Sequence, residues 1–435
     1  MATPRPETVE REQPTRVEPL WTLNLFLLFQ GQAVSAVGTA LFQVALLLWI
    51  LEATGSATLM GLVMMAGTIP GVVLGPIGGV VADRVSRKAL IVWGDAVLGT
   101  VMLTLAVPFF FFAEHTTLIV GWLFAVACVN GTVQAFFRPA VMAAMPDMVA
   151  TRRLDAANSW FGASAAVAQV LGQAIGGVLF RTLGAPALVL INGVTFLLSA
   201  LSETFIRLPT FRTVPQAGRL GRKLAAELIE GLRYAMNERG LVPLTLIFTT
   251  LNLLTVPIAI ALPIMVRDDL GLSADWYGYA LAALGAGSLL GFAVVGNMAL
   301  DGARRHQAIV LGSMGIGLGM GTVAFIENGW MLVVSLFVVG IMLPPINVSI
   351  MTLLQSTTPQ ALRGRVMSLV STLTGAAIPV SAGLAGALID ALDQDVRLVI
   401  RMMAAGTLLT ALLFLMLRNV RHFTSTVIEV RRGAT

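Results

Sequence analysis

Charge is what this sequence has least of. Only 12% of its 435 residues are Asp, Glu, Lys or Arg, roughly half the share of a soluble domain, while 57% are hydrophobic. That balance excludes a water-soluble core with a charged coat and points to an integral membrane protein. Cysteine is nearly absent: Cys128 alone lies within an apolar run, so no disulfide framework can form. Three histidines, His115, His306 and His422, lie far apart, and no cluster of acids or thiols accompanies them. Neither a metal site nor a nucleophile–base dyad is expected. No G-x-x-x-x-G-K-[ST] loop is present, so ATP hydrolysis and a bound cofactor are not expected. The first 20 residues mix Pro, Glu and Arg without an apolar core and cleavage site, which suits a tail better than a secretory signal. The net charge of +5 does not imply nucleic acid, because the basic residues sit between the apolar runs.

Those runs number twelve, at about 21–50, 57–82, 89–112, 117–144, 157–180, 185–206, 241–266, 274–299, 307–326, 330–355, 365–389 and 397–417. Each is long enough to cross about 30 Å of hydrocarbon. With the N-terminus in the cytoplasm, all 28 Lys and Arg residues except Arg181, Arg267, Arg397 and Arg401 fall on the cytoplasmic side. The positive-inside rule therefore favours a plasma-membrane protein with both termini cytoplasmic. The longest hydrophilic break, 207–240, contains an amphipathic segment, "LAAELIEGLRYAMNERG". The expected organisation is a tail (1–20), a six-helix unit (21–206), a cytoplasmic linker (207–240), a second six-helix unit (241–418) and a tail (419–435). A weak repeat agrees: Gly78-x4-Asp83-x3-Arg87 after the second run returns as Gly296-x4-Asp301-x3-Arg305 after the eighth. The expected fold class is all-α, with twelve transmembrane helices in two pseudo-symmetric six-helix bundles, an architecture of secondary transporters.

The second run ends in "GPIGGVVADRVSRK", residues 75–88. Gly75, Gly78 and Gly79, like Gly172, Gly176 and Gly177 in "GQAIGG", suit close helix packing. "GGVVADRVSRK" resembles the signature loop G-x-x-x-D-R-x-x-R-[RK] of the major facilitator superfamily. The stretches 31–58 and "FRPAVMAAMPDMV" (137–149) resemble its macrolide-efflux and enterobactin-exporter subgroup. The resemblance implies the major facilitator fold, usually monomeric, and a conformational latch. In that latch Asp83, with Arg84, Arg87 and Lys88 around it, would hold the start of the eleventh helix near Arg365 and release it during transport. One departure stands out: antiporters of the superfamily commonly carry G-P-x-x-G-G where this chain has Gln173 in place of the proline.

Two polar stripes cross the apolar runs. Gln32, Ser35, Thr39 and Gln43 share one face of the first helix; Asn130, Gln134 and Arg138 recur every four residues in the fourth. Asn158, Gln169 and Gln173, with Asn252 and Asn347, extend the set. In lipid such groups either bond neighbouring helices or line a substrate path. Asp95 and Arg138 lie at similar depth and could pair; Asp95 is then either a proton-coupling group or part of a fixed charge network. Glu203 reads as interfacial. Together these features favour a secondary exporter of a bulky, mostly apolar small molecule such as a drug, macrolide or siderophore-like product, working by alternating access with proton antiport. An importer or facilitator is the alternative. A membrane enzyme or sensor would need more converging titratable groups or a soluble module, so no enzymatic activity is expected.

Overall fold

The computed structural model describes residues 21–149, 153–208, 240–298, 302–359 and 362–417, with Glu230, Arg233, Tyr234, Met236, Asn237 and Glu238 between. The helices are α1 (Leu23–Thr54), α2 (Ala57–Arg84), α3 (Arg87–Phe111), α4 (Thr116–Met148), α5 (Leu154–Glu203), α6 (Leu241–Thr255) and α7 (Ile258–Ile264). They continue with α8 (Ala274–Gly296), α9 (Gly302–Val323), α10 (Gly329–Thr357), α11 (Arg363–Ala391) and α12 (Val396–Met416). Ten described helical stretches are long and apolar enough to span a membrane. The 48-residue stretch Ala156–Glu203 counts as two crossings, because α5 breaks at Gly184 (φ 76°, ψ 170°), which only glycine adopts readily. With the glycine-rich α9, twelve crossings result. Pro257 separates α6 from α7, which together form one crossing completed by a π-helical turn, Met265–Asp269. The 224–240 amphipathic segment lies mostly outside the described residues, as do both tails and Asp301.

Local chemistry starts and stops these helices. Thr22, Ser56, Ser86, Asn328 and Asp395 each accept a backbone N–H of the first turn of the helix that follows. Such caps satisfy donors that lipid-depth backbone cannot leave open. Gly55, at φ 63°, closes α1 in a left-handed turn. Large apolar side chains face outward: Trp93, Phe111, Phe325 and Trp330 are each more than two-thirds exposed. In water that surface would drive aggregation; in a bilayer it meets hydrocarbon.

Since lipid removes most of the hydrophobic drive between helices, close backbone approach holds the bundle. α1 lies between the two antiparallel arms of α5. Gly31 and Gly38 press on Ser199 and Asn192 of one arm, while Gly172 and Gly176 press on Ala40 and Val44 from the other. Gly78 abuts the Ala135 carbonyl of α4. The N-terminal and C-terminal halves meet where α2 packs on α11 and α5 on α8. There Gly61 faces the Ala382 carbonyl, Gly386 the Ala57 carbonyl, and Gly177 the backbone of Ala274 and Asp275.

These contacts are all toward one end of the bundle, the end of Gly55. Polar bonds across the halves cluster there too. Asp390 of α11 accepts from Ala57 N (3.0 Å), Thr58 N (2.8 Å) and Ser56 Oγ (2.9 Å) at the start of α2. Arg267 donates to the Leu51 carbonyl (2.9 Å), Gln394 donates to that of Gly55, and Arg181 pairs with Asp275 (3.2 Å). At the opposite end, near Ser86, the described polar bonds stay within one half. Examples are Lys88 to the Thr204 carbonyl (2.6 Å) and Arg87 to Asp147 (2.7 Å). Gly79 lies about five turns from Gly61 on the same face of α2, and Gly375 is on the α11 face of Ala382 and Gly386. Yet among the described residues Gly75, Gly79 and Gly375 have no heavy atom within reach of an added Cβ. Packing roles for Gly75 and Gly79 are therefore corrected: the stripe that joins α2 to α11 at the Gly55 end stands open near Ser86.

Candidate functional site

Between the halves, near the middle of the helices, lies a cavity of about 320 Å³. Its wall is mainly hydrocarbon, from Phe42, Leu46, Val63, Met64, Leu123, Val126 and Phe196, broken by Thr39, Gln43, Thr68, Asn130, Gln173, Asn192 and Tyr277. Small-molecule sites are typically of this kind, at about 300–1,000 Å³ with a few polar groups that orient the ligand. The N-terminal half contributes most of the wall; Ala259, Tyr277 and Leu281 close the other side.

The polar stripes divide. Thr39, Gln43 and Asn130 reach the cavity; Gln32, Ser35, Gln134, Asn158, Gln169, Asn252 and Asn347 are not in its wall. Gln169 donates to Gln43 (3.3 Å) just beside it. Ser35 is buried and donates to the Gln32 carbonyl (3.3 Å). Asn252 and Asn347 turn back to carbonyls of their own helices, Phe248 (3.0 Å) and Leu343 (3.2 Å). Asn158 is exposed. Gln173 sits in the wall with no helix break beside it. The amide Asn192, in "VLINGVTF", was visible in the sequence as a lone polar residue in an apolar run, and so was Thr68; only the fold turns them inward.

A second site forms toward the Ser86 end, from α1, α3 and α5. Asp95 (1% exposed) and Glu203 (fully buried) both accept from the Gln32 amide, at 3.4 and 2.9 Å. Ser199 also donates to Glu203 Oε1 (3.4 Å), while Glu203 Oε2 has no partner. Two expectations are corrected. Arg138 is exposed and forms no ion pair with Asp95 among the described residues, because its face of α4 turns away from α3. Glu203 is not interfacial: it ends its helix, but α1 and α3 close over it. Two carboxyls on one amide donor with no cation paired to either is an arrangement suited to holding a proton.

The charged loop is used within its own half. Arg87 binds Asp147 (2.7 Å) and the Ala143 carbonyl (2.9 Å), tying α3 to α4; Lys88 ties α3 to the end of α5, and Arg84 is exposed. The side chains of Asp83 and Arg365 lie outside those described. Arg87→Gln leaves a mostly buried carboxylate without its cation, so a stability loss of about 1–3 kcal/mol is expected. Thermal unfolding in detergent checks it; an unchanged midpoint would make the pair dispensable. Among the described residues no three His, Cys, Asp or Glu side chains converge as metal ligands.

Comparison with known proteins agrees with this geometry. Macrolide efflux protein A of Streptococcus pyogenes is 23% identical over 379 residues, spanning 86% of this chain and 90% of its own. Multidrug efflux pump Tap of Mycolicibacterium fortuitum is 29% identical over 383 residues, 84% and 89% of the two chains. Among solved structures, the nucleoside transporter NupG superposes with a TM-score of 0.69 at 14% identity, covering 91% of this chain and 98% of its own. A structure described under substrate recognition in proton dependent oligopeptide transporters gives 0.70 at 13% identity, covering 92% and 98%. These structural likenesses establish the fold. The profile of the transmembrane secretion effector family matches residues 16–431, so the chain belongs to that family of the major facilitator superfamily.

Proposed function

We propose that this protein exports a mostly apolar small molecule by alternating access, coupled to inward proton flow. The observation that carries the reading is the cavity of about 320 Å³ between two halves whose described clasps all lie at one end. Its volume suits a compact drug-sized molecule; a macrolide would need a wider cavity. The efflux relatives support export over import, and the Arg and Lys bias supports a cytoplasmic Ser86 end. In this conformation the cavity then faces the cytoplasm, where an exporter loads.

The clasp supports the alternation. α2 and α11 run antiparallel, so the end of each helix meets the start of the other. Asp390, in the last turn of α11, caps the start of α2. Asp83 has the matching sequence position in the last turn of α2, and a reciprocal clasp on the start of α11 would form there in the other state. Two reciprocal aspartate–helix clasps, one engaged per state, would keep the states within a few kcal/mol of each other. Asp390→Asn weakens the outer clasp by about 1 kcal/mol, so the outward-facing share should rise roughly fivefold. Double electron–electron resonance across the outer ends of α2 and α11 checks this; an unchanged distance distribution would remove the clasp from the mechanism.

The proton would bind at Asp95 and Glu203. Ethidium accumulation in cells expressing the protein, with and without a protonophore, tests the whole reading. Export predicts lower accumulation that rises when the gradient collapses. Accumulation equal to that of an empty-vector control, for ethidium and for tetraphenylphosphonium, would sink it.

A further inference from the structure

A single atom of α1, Gln32 Nε2, holds both buried carboxyls: it donates to Asp95 of α3 (3.4 Å) and to Glu203 of α5 (2.9 Å). A carboxyl that takes up a proton loses its charge, and the bond from Gln32 to it falls to about half its strength. Roughly 10 and 16 Å farther along the same helix, Thr39 and Gln43 enter the cavity wall. From Gly31 to Val44, α1 meets α5 through glycine. Gly31 lies on Ser199 and Ser202, Gly38 on Asn192 and Thr195, and Gly172 and Gly176 of α5 on Ala40 and Val44. None of these contacts wedges a large side chain of α1, which leaves a small shear of the helix open. Polar atoms are unpaired at both ends of this seam: the Asn192 amide beside the cavity and Glu203 Oε2 beside Asp95. Buried unpaired groups are disfavoured, so a second placement of α1 that pairs them competes with this one.

We propose that Gln32 is the positioning residue that couples the proton to the ligand. The charged pair holds α1 in the register that sets Thr39 and Gln43 in the cavity wall, and proton uptake releases it. The inference rests on the cavity being the substrate site and on the pair carrying the proton. Other charged groups of the packed helices are engaged elsewhere: Arg87 by Asp147 and Lys88 by the Thr204 carbonyl. Arg138 and Arg207 are exposed, Glu52 and Arg181 lie at the Gly55 end, and Arg153 pairs with neither carboxyl among the described residues. Coupling is reciprocal: a proton that weakens ligand binding is itself released when the ligand binds.

The test uses the full chain in phosphatidylcholine nanodiscs, titrated with ethidium at pH 8 and at pH 5.5, with empty nanodiscs subtracted. Ethidium keeps its charge across that range, so a change in affinity belongs to the protein. Wild-type protein is expected to bind about tenfold more tightly at pH 8, and binding should release protons into weakly buffered solution. Gln32→Met keeps the length of the side chain and removes the donor; its affinities should agree within about twofold at the two pH values, with no proton release. Gln32→Ala should behave alike without added bulk, and thermal unfolding reports that each variant is folded. A pH dependence that survives both substitutions overturns this inference alone and leaves the proton reading standing. Loss of binding at both pH values in both folded variants also overturns it, because Gln32 then shapes the cavity and does not couple it. Wild-type affinity that is the same at both pH values fails the proton reading along with it, and wild-type protein that binds no ethidium fails the cavity reading on which both depend.

Discussion

With Asp95 replaced by Asn, or Glu203 by Gln, gradient-driven efflux is expected to collapse while substrate exchange across the membrane persists. One proton moving down about 100 mV supplies about 2.3 kcal/mol, which sustains roughly a 50-fold concentration ratio. A variant that no longer takes up the proton forfeits that ratio. Both replacements keep shape and hydrogen bonding, so the Gln32 bridge at 3.4 and 2.9 Å has partners in either variant. Loss of coupling would then follow from the lost charge and not from a misfolded site. Two readouts separate the cases: ethidium uptake into everted vesicles energised by a pH gradient, and ethidium counterflow with no gradient. Counterflow retained with efflux lost supports a coupling site. If both single variants pump like wild type, the pair is structural and another group carries the proton. Among the described residues no cation from α1, α3, α4 or α5 is paired with either carboxyl: Arg87 is held by Asp147, Lys88 by the Thr204 carbonyl, and Arg138 is exposed.

Gly61→Val and Gly386→Val are expected to trap the transporter open to the outside. An added Cβ at either position would strike a carbonyl of the partner helix, Ala382 or Ala57. Backbone cannot step aside as a flexible side chain can. The clash exists only when α2 and α11 close at the Gly55 end, so it disfavours one state and leaves each half folded. Overpacking of this kind costs about 1–3 kcal/mol, which moves the equilibrium about 5- to 150-fold. Transport should fall by a similar factor. Val63 is buried in the cavity wall, so Val63→Cys, in a background with Cys128→Ser, reports the change. A membrane-impermeant maleimide added outside should label it in the glycine variants and not in their parent. Unchanged labelling would mean that these glycines do not control closure.

Depth was readable from the chain, and direction around each helix was not. Asp95 and Arg138 lie at comparable depth in α3 and α4, which made a pair plausible. Depth along a helix follows from counting residues, but which face meets which neighbour depends on how six helices pack. Arg138 turns outward, and Asp95 instead meets Glu203, distant in sequence and brought near by the fold of α5 over α1. The α1 stripe shows the same thing: Thr39 and Gln43 reach the cavity, while Gln32, on the same face but two turns lower, serves the carboxyl pair.

Composition by itself determined the solvent, the number of crossings and the side on which positive charge collects. Each of these depends on sums over 20 or more residues, and such sums do not care about neighbours. The family signature in 75–88 likewise survives as a string of letters. The tertiary structure alone decided which polar groups were left without partners, as at Asn192, and which glycines touch a facing backbone. It set Gly61 against α11 and left Gly79, on the same stripe, open. Those outcomes turn on separations of an ångström or two between segments hundreds of residues apart, a scale at which only the packed helices carry information.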